Sequence, residues 1–160
     1  MRLQLCAVGR MKAGAERDLV IRYQDRLAAA GRSVALSPVE VAEIDESRAR
    51  RPEDRRADEA ERLVTAIAPG AVAVLLDEGG KGLSSEAFAA RIGAWRDRGV
   101  PCLAFLVGGA DGHGPAARDR AELSLALGPM TWPHQLVRIL LMEQLYRAAT
   151  ILAGHPYHRG

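Results

Sequence analysis

The stretch AVAVLLDEGGKGLSSEAFAARIGAWRDRGVPCLAFLVGGADGHG, residues 71–114, decides the fold. Residues 71–76 are apolar at every position, as expected of a strand covered on both faces in a parallel sheet. A polar, Gly-rich turn follows at residues 77–82. Ser84 is placed as the N-cap of a helix that runs to about Arg98, with an amphipathic pattern over residues 86–95. A second apolar strand, residues 102–107, leads straight into Gly108-Gly-Ala-Asp-Gly-His-Gly114. Strand, turn, helix, strand and Gly loop in this order predict a doubly wound α/β fold with a mostly parallel sheet. Ligands of such sheets lie beyond the carboxyl ends of the strands, so the turns after Leu76 and Val107 point to one site.

Working outward, residues 3–8 read as a first strand ending at Gly9, and residues 16–30 as a helix stopped by Gly31. A second strand is expected at residues 33–41, at an edge or bulged because of Pro38. Residues 45–56 alternate acids with Arg48, Arg50, Arg51, Arg55 and Arg56, and predict a mobile surface loop before a helix over residues 52–67. These arginines form either a solvated face or a contact for RNA phosphate. Residues 122–127 read as a short strand. After Pro133, which suits the first turn of a helix, residues 134–153 form a helix that is apolar on nearly every side. Such a helix must be covered all round, and a second subunit is the expected part of that cover.

At 160 residues and 48% hydrophobic, the chain has the size and apolar content of a single domain, taken as residues 1–160. A formal net charge of +2 names no partner by itself. Cys6 and Cys102 stand alone in apolar stretches and read as buried hydrophobes. No apolar run approaches the roughly 18 residues of a membrane span, so the expected compartment is the cytoplasm. The Gly loop has neither the spacing of a dinucleotide fingerprint nor the GK[ST] of a phosphate-cradling loop, and no GxSxG nucleophile elbow occurs. The C-terminal residues 154–160, GHPYHRG, concentrate groups that hold phosphate, stack on bases or move protons. His155 and His158 lack the further ligands that a zinc site requires, and no metal is expected.

The strings LVGGADGHG (106–114) and LSLALGPMTWPHQLVRILLMEQLYRAATILAGHPYHRG (123–160), with LQLCAVG (3–9) and LLDEGGKGLSSEAFA (75–89), resemble the ribosomal large subunit methyltransferase H family. That family is a small branch of the SPOUT, or trefoil-knotted, methyltransferases. The likeness covers most of the chain but offers no motif between residues 37 and 62. It departs from the family at the Gly loop, where GGADG stands for the usual GGPEG, and at Gly128-Pro129.

The resemblance implies a C-terminal trefoil knot and a homodimer. It also implies S-adenosyl-L-methionine as cofactor, and methylation at N3 of a pseudouridine in a stem-loop of 23S rRNA near the decoding centre, on free RNA or on the assembled ribosome. Matched residue by residue, the cofactor would touch Leu76, Gly108, Leu127, Gly128, Pro129, Met130, Thr131 and Trp132. Leu76, Leu127, Met130 and Trp132 can wall an apolar slot for adenosine. Tyr157, His155 and His158 are the candidates for orienting the base or moving its proton, and Arg138, Arg147 and Arg159 for holding RNA phosphate. Arg138 and Arg147 can equally pair with carboxylates such as Glu143 on their own helix. A binding factor of the same fold that has lost catalysis is the alternative reading.

Overall fold

The computed structural model describes residues 1–158; Arg159, Gly160 and the side chain of His158 lie outside what it describes. Five strands form one sheet: β1 (Arg2–Val8), β2 (Val39–Ile44), β3 (Val72–Gly82), β4 (Cys102–Val107) and β5 (Leu123–Ala126). They are ordered β2-β1-β4-β3-β5, and every neighbouring pair is parallel. Five helices connect them: α1 (Ala15–Gly31), α2 (Pro52–Ala66), α3 (Ser85–Asp97), α4 (Pro115–Arg120) and α5 (His134–Leu152).

The strand sequences show why both faces are covered. Side chains alternate along a strand, so Leu3, Leu5, Val74, Leu103 and Phe105 share one face while Cys6, Val8, Ala73, Leu75 and Leu106 share the other. The first set is buried with Leu27 of α1, Ile92 and Trp95 of α3, and Leu141 and Leu145 of α5. The second is buried under Ala60 and Leu63 of α2 and Ala117 of α4. Both cysteines are buried free thiols. No helix among the described residues is long and apolar enough to cross a membrane.

Three elements differ from the sequence reading. β2 begins at Val39 rather than Ser33, because Arg32–Val34 closes a 3-10 turn and Ala35 takes a left-handed φ of 57°. It is an edge strand, as Pro38 predicts. β3 does not stop at Leu76: after a register shift it pairs again with β5, Lys81 opposite Leu125 and Gly82 opposite Ala126. Gly80 permits this approach, since a Cβ there would stand 2.7 Å from the Ser124 carbonyl carbon. Residues 115–120, left unassigned by the sequence pattern, form α4 with Pro115 in its first turn.

The loop before α2 is also built differently from a free solvated segment. Ser47 is buried, and its backbone N–H donates to Glu59 Oε1 at 2.9 Å. Arg55 closes on Asp111, 56 residues away in sequence. The charge run is therefore anchored to the body of the protein at both ends.

Helix α5 has its apolar girth covered by α1 on one side and α3 on the other. Leu136, in its first turn, stays 39% exposed, close in sequence to Met130 at 69% and Trp132 at 40%. These three large apolar side chains near one end of α5 stay exposed among the described residues.

Candidate functional site

All five strands run in the same direction, so the loops after them emerge along one edge of the sheet. The middle of β3, the loops after β4 and β5, and the start of α5 enclose a pocket of about 640 Å³. It brings together Leu76, Gly108, Leu127, Gly128, Met130, Thr131 and Trp132, seven of the eight cofactor positions expected from the sequence; Pro129 stays outside the lining. Asp77, Glu78, Asp111, His113, His134 and Val137, which the sequence reading does not select, complete the wall.

The loop after β5 is held in shape by its own side chains. Trp132 Nε1 donates to Leu127 O at 3.2 Å, and Thr131 Oγ1 donates to Glu78 Oε2 at 2.5 Å. Gly128 has φ +111° with open space where a Cβ would be, so the backbone itself faces the cavity there.

The charged side chains lining the pocket are carboxylates. Asp77 pairs with Arg118 at 2.6 Å, and Asp111 receives Arg55 in a fork of 2.6 and 3.1 Å. The hydrogen bonds of Arg55 hold the Asp111 carboxyl below the usual carboxylate range. The lining contains no lysine or arginine. A phosphorylated ligand would find no cation there, whereas a cationic ligand with an apolar body meets matching walls.

His113 forms part of the wall from a buried position, 6% exposed. Its Nε2 lies 2.9 Å from Leu76 O, which requires Nε2 to carry the proton. Nδ1 is left without a partner, so charging the ring would bury an unpaired N–H. Burial accordingly lowers the pKa of His113 beneath its ordinary 6.5, against the opposing pull of the Leu76 carbonyl and Asp77. The folded pKa lies below the unfolded one, so the unfolded chain binds the extra proton and stability falls as pH drops below about 6.5. A His113→Gln variant should show a flatter thermal stability profile between pH 7 and pH 5 than the parent. Parallel profiles would show that His113 does not drive the acid limb.

The remaining site expectations fall elsewhere. Arg138 does not face solvent: its residue is 1% exposed, with Nη1 on Glu43 Oε1 at 2.8 Å and Nη2 on the carbonyls of Val8 at 2.5 Å and Gly9 at 2.8 Å. This corrects its reading as a phosphate ligand, since the guanidinium is consumed in tying α5 to the end of β1. Arg147 pairs with Glu143 one helical turn before it, at 2.6 Å, and lies over the Tyr157 ring. Arg159 lies outside the described residues.

Tyr157 stacks against Tyr146 with ring centroids 4.6 Å apart, and its hydroxyl donates to Glu143 Oε1 at 3.2 Å. Burial and the adjacent carboxylate push its pKa up to about 12. The phenol is therefore neutral at working pH, a donor rather than a base. His155 Nδ1 accepts from the Tyr157 backbone N–H at 3.2 Å. Glu143 thus holds the tail against α5, a role foreshadowed only by its helical spacing to Arg147.

Among the described residues, none of the tail lines the pocket. His134 and Val137 line the pocket, while Glu143, which holds Tyr157, stands nine and six residues further along α5, roughly 14 and 9 Å by the helical rise. A hydroxyl so held cannot contact a group bound beside His134.

The family model described as predicted SPOUT methyltransferase matches residues 1–158. The chain belongs to the SPOUT methyltransferase family. This SPOUT methyltransferase is 59% identical over 159 residues to the ribosomal RNA large subunit methyltransferase H of Xanthobacter autotrophicus, and 60% identical to that of Brucella anthropi. Each match spans 99% of both proteins. Among solved structures, the SpoU methyltransferase AviRb of Streptomyces viridochromogenes aligns over 96% of this chain and 61% of its own, with TM-score 0.47 and 16% identity.

Proposed function

We propose that this SPOUT methyltransferase transfers a methyl group from S-adenosyl-L-methionine to N3 of a pseudouridine in a 23S rRNA stem-loop near the decoding centre, and works as a homodimer in the cytoplasm. The observation that carries the reading is the pocket at the carboxyl edge: apolar walls, exposed backbone at Gly128, carboxylates and no free cation. These suit a sulfonium-bearing nucleoside, which is cationic and has no phosphate. The names of the relatives, at 56–60% identity over 159 residues, support ribosomal RNA as the substrate. The trefoil knot implied by the family resemblance belongs to the same reading.

Leu76, Leu127, Met130 and Trp132 would hold the adenosine, with Gly108 and Gly128 offering main-chain groups and Pro129 shaping the loop from outside. Glu78, which is in no ion pair among the described residues, would place negative charge beside the cationic centre, whereas Asp77 is already balanced by Arg118. When bound, the cofactor supplies an electrophilic methyl group. The residues of the chain must align the base with it and remove the proton from N3.

Tyr157, neutral and a donor, is suited to orient the base; His155 and His158 remain the proton acceptors to test. Because no described residue of the tail lines its own pocket, and Glu143 stands roughly 9–14 Å along α5 from the pocket residues Val137 and His134, a complete site is assembled when a second copy brings its tail to the first copy's pocket. Leu136, exposed in the first turn of α5, and the outward parts of Met130 and Trp132 on the pocket wall are the surface for that contact.

The test is transfer of tritium from methyl-labelled S-adenosyl-L-methionine to ribosomes from a strain lacking the enzyme, with light scattering on the same protein. Label in large-subunit RNA and a dimer mass at micromolar concentration are expected. Cofactor binding by calorimetry without label in either ribosomes or free 23S rRNA would favour the non-catalytic binding factor.

A further inference from the structure

The carboxyl edge of the sheet carries a cationic cluster that the pocket does not use. The loop after β2, residues 45–51, and the first turns of α2 lie there. Arg48, Arg50, Arg51 and Arg56 are exposed. Among the described residues, none of their guanidiniums is in an ion pair or a side-chain hydrogen bond. Three acids of the neighbourhood are already paired: Asp45 with Arg10 at 2.8 Å, Asp58 with Arg62, and Asp111 with Arg55. Glu59 is buried against Ser47, and Glu46 lies against Gly9 near Arg138. Glu53 and Asp54 occupy the first turn of α2, where the helix dipole favours them.

Two contacts fix this cluster to the pocket wall. Arg55 spans the gap, its Nε and Nη2 on Asp111 and its Nη1 on the carbonyls of Ala49 at 3.2 Å and Arg50 at 3.0 Å. Gly114 lies so close under α2 that a Cβ on it would stand 2.4 Å from Arg56 O. The arginines therefore sit at a fixed place beside the Gly loop, Arg48, Arg50 and Arg51 in the segment before α2 and Arg56 in its second turn, and they offer four exposed guanidiniums rather than one anion cradle. A polyanion with regularly spaced phosphates matches them, and arginine grips phosphate with two parallel N–H groups.

We propose that Arg48, Arg50, Arg51 and Arg56 form a docking surface for RNA phosphates on the rim of the pocket, with Arg55 as the clasp that joins this surface to Asp111. The proposal rests on the reading of the chain as an RNA methyltransferase and adds a substrate-binding site to it. Phosphate contacts position an RNA without reading its sequence, so an unmodified transcript is an adequate probe.

The experiment compares the full-length parent with the quadruple variant R48Q/R50Q/R51Q/R56Q and its all-lysine counterpart. Binding of a fluorescein-labelled large-subunit rRNA stem-loop transcript is followed by anisotropy over a potassium chloride series. The glutamine variant should bind at least about tenfold more weakly at 100 mM salt, with the slope of log Kd against log salt reduced by roughly three, since each phosphate contact contributes about 0.7–0.9. The lysine variant should keep most of the slope. Calorimetry with S-adenosyl-L-methionine should give the parental Kd for both, which also certifies their folding.

Unchanged RNA affinity and slope in the glutamine variant would overturn the proposal, as would a parent that does not bind the transcript, the outcome expected if the partner is an acidic protein surface. The tritium assay on the parent separates the two readings. Transfer to ribosomes with no change in the glutamine variant removes the docking surface alone. Lost RNA binding in the variant of a parent that transfers no label keeps the surface and removes the activity.

Discussion

Replacing Arg138 by alanine is expected to destabilise the protein by about 3–5 kcal/mol, the range for breaking a buried, hydrogen-bonded charge pair by removing one partner. The guanidinium is enclosed, and its loss takes one donor from the partly buried Glu43 and one each from the carbonyls of Val8 and Gly9. Glu43 Oε1 also accepts from the Met11 N–H at 3.0 Å, so the loop after β1 loosens with it. Urea denaturation followed by far-UV circular dichroism measures the change. Arg138→Lys should recover part of it, since an ammonium keeps the charge but cannot reproduce the planar fork toward three acceptors. A loss below 1 kcal/mol for the alanine variant, accompanied by weakened RNA binding, would return Arg138 to the phosphate role that its burial argues against.

Arg138 also shows where the sequence was legible and was not followed far enough. A helix apolar on nearly every side has no polar face to receive an arginine, so the pattern that reveals α5 already places Arg138 inside. The strand β4 is legible because it is an unbroken apolar run, and β1 because its apolar residues are interrupted only by Gln4 after Arg2; in both, alternate residues meet opposite layers. The second half of β3 is not: Asp77, Glu78 and three glycines carry no strand signal, and the segment becomes a strand only because Gly80 lets the β5 backbone approach. α4 has six residues, too few to display a helical period. Within the pocket, the glycine loop and residues 127–132 are legible as local strings. The clasp of Arg55 on Asp111 is not, because nothing local distinguishes one arginine of five from its neighbours. His113 is hidden for the same reason, since its burial depends on Leu76 in another strand.

Mixing two defective chains is expected to restore activity that neither has alone. One chain ends after Gly154 and lacks the tail; the other keeps the tail but carries Gly128→Val, a β-branched residue at φ +111° in the loop that faces the cofactor. Each homodimer is then deficient at both of its sites. Loss of the tail should lower kcat by roughly 10²–10⁴, the usual weight of a positioned acid or base, while calorimetry still reports cofactor binding. Gly128→Val should abolish that binding with the fold preserved, because open space surrounds the position.

After co-refolding in equal amounts, half of the dimers are mixed, and each mixed dimer has one intact pocket facing one intact tail, so about a quarter of the parental activity should return. That outcome follows only if the tail crosses to the other copy. A tail serving its own pocket leaves both chains of a mixed dimer defective, and activity stays at the level of the separate variants. The position of Tyr157 on Glu143, roughly 14 Å along α5 from the pocket residue His134, is what makes the crossed arrangement the expected one.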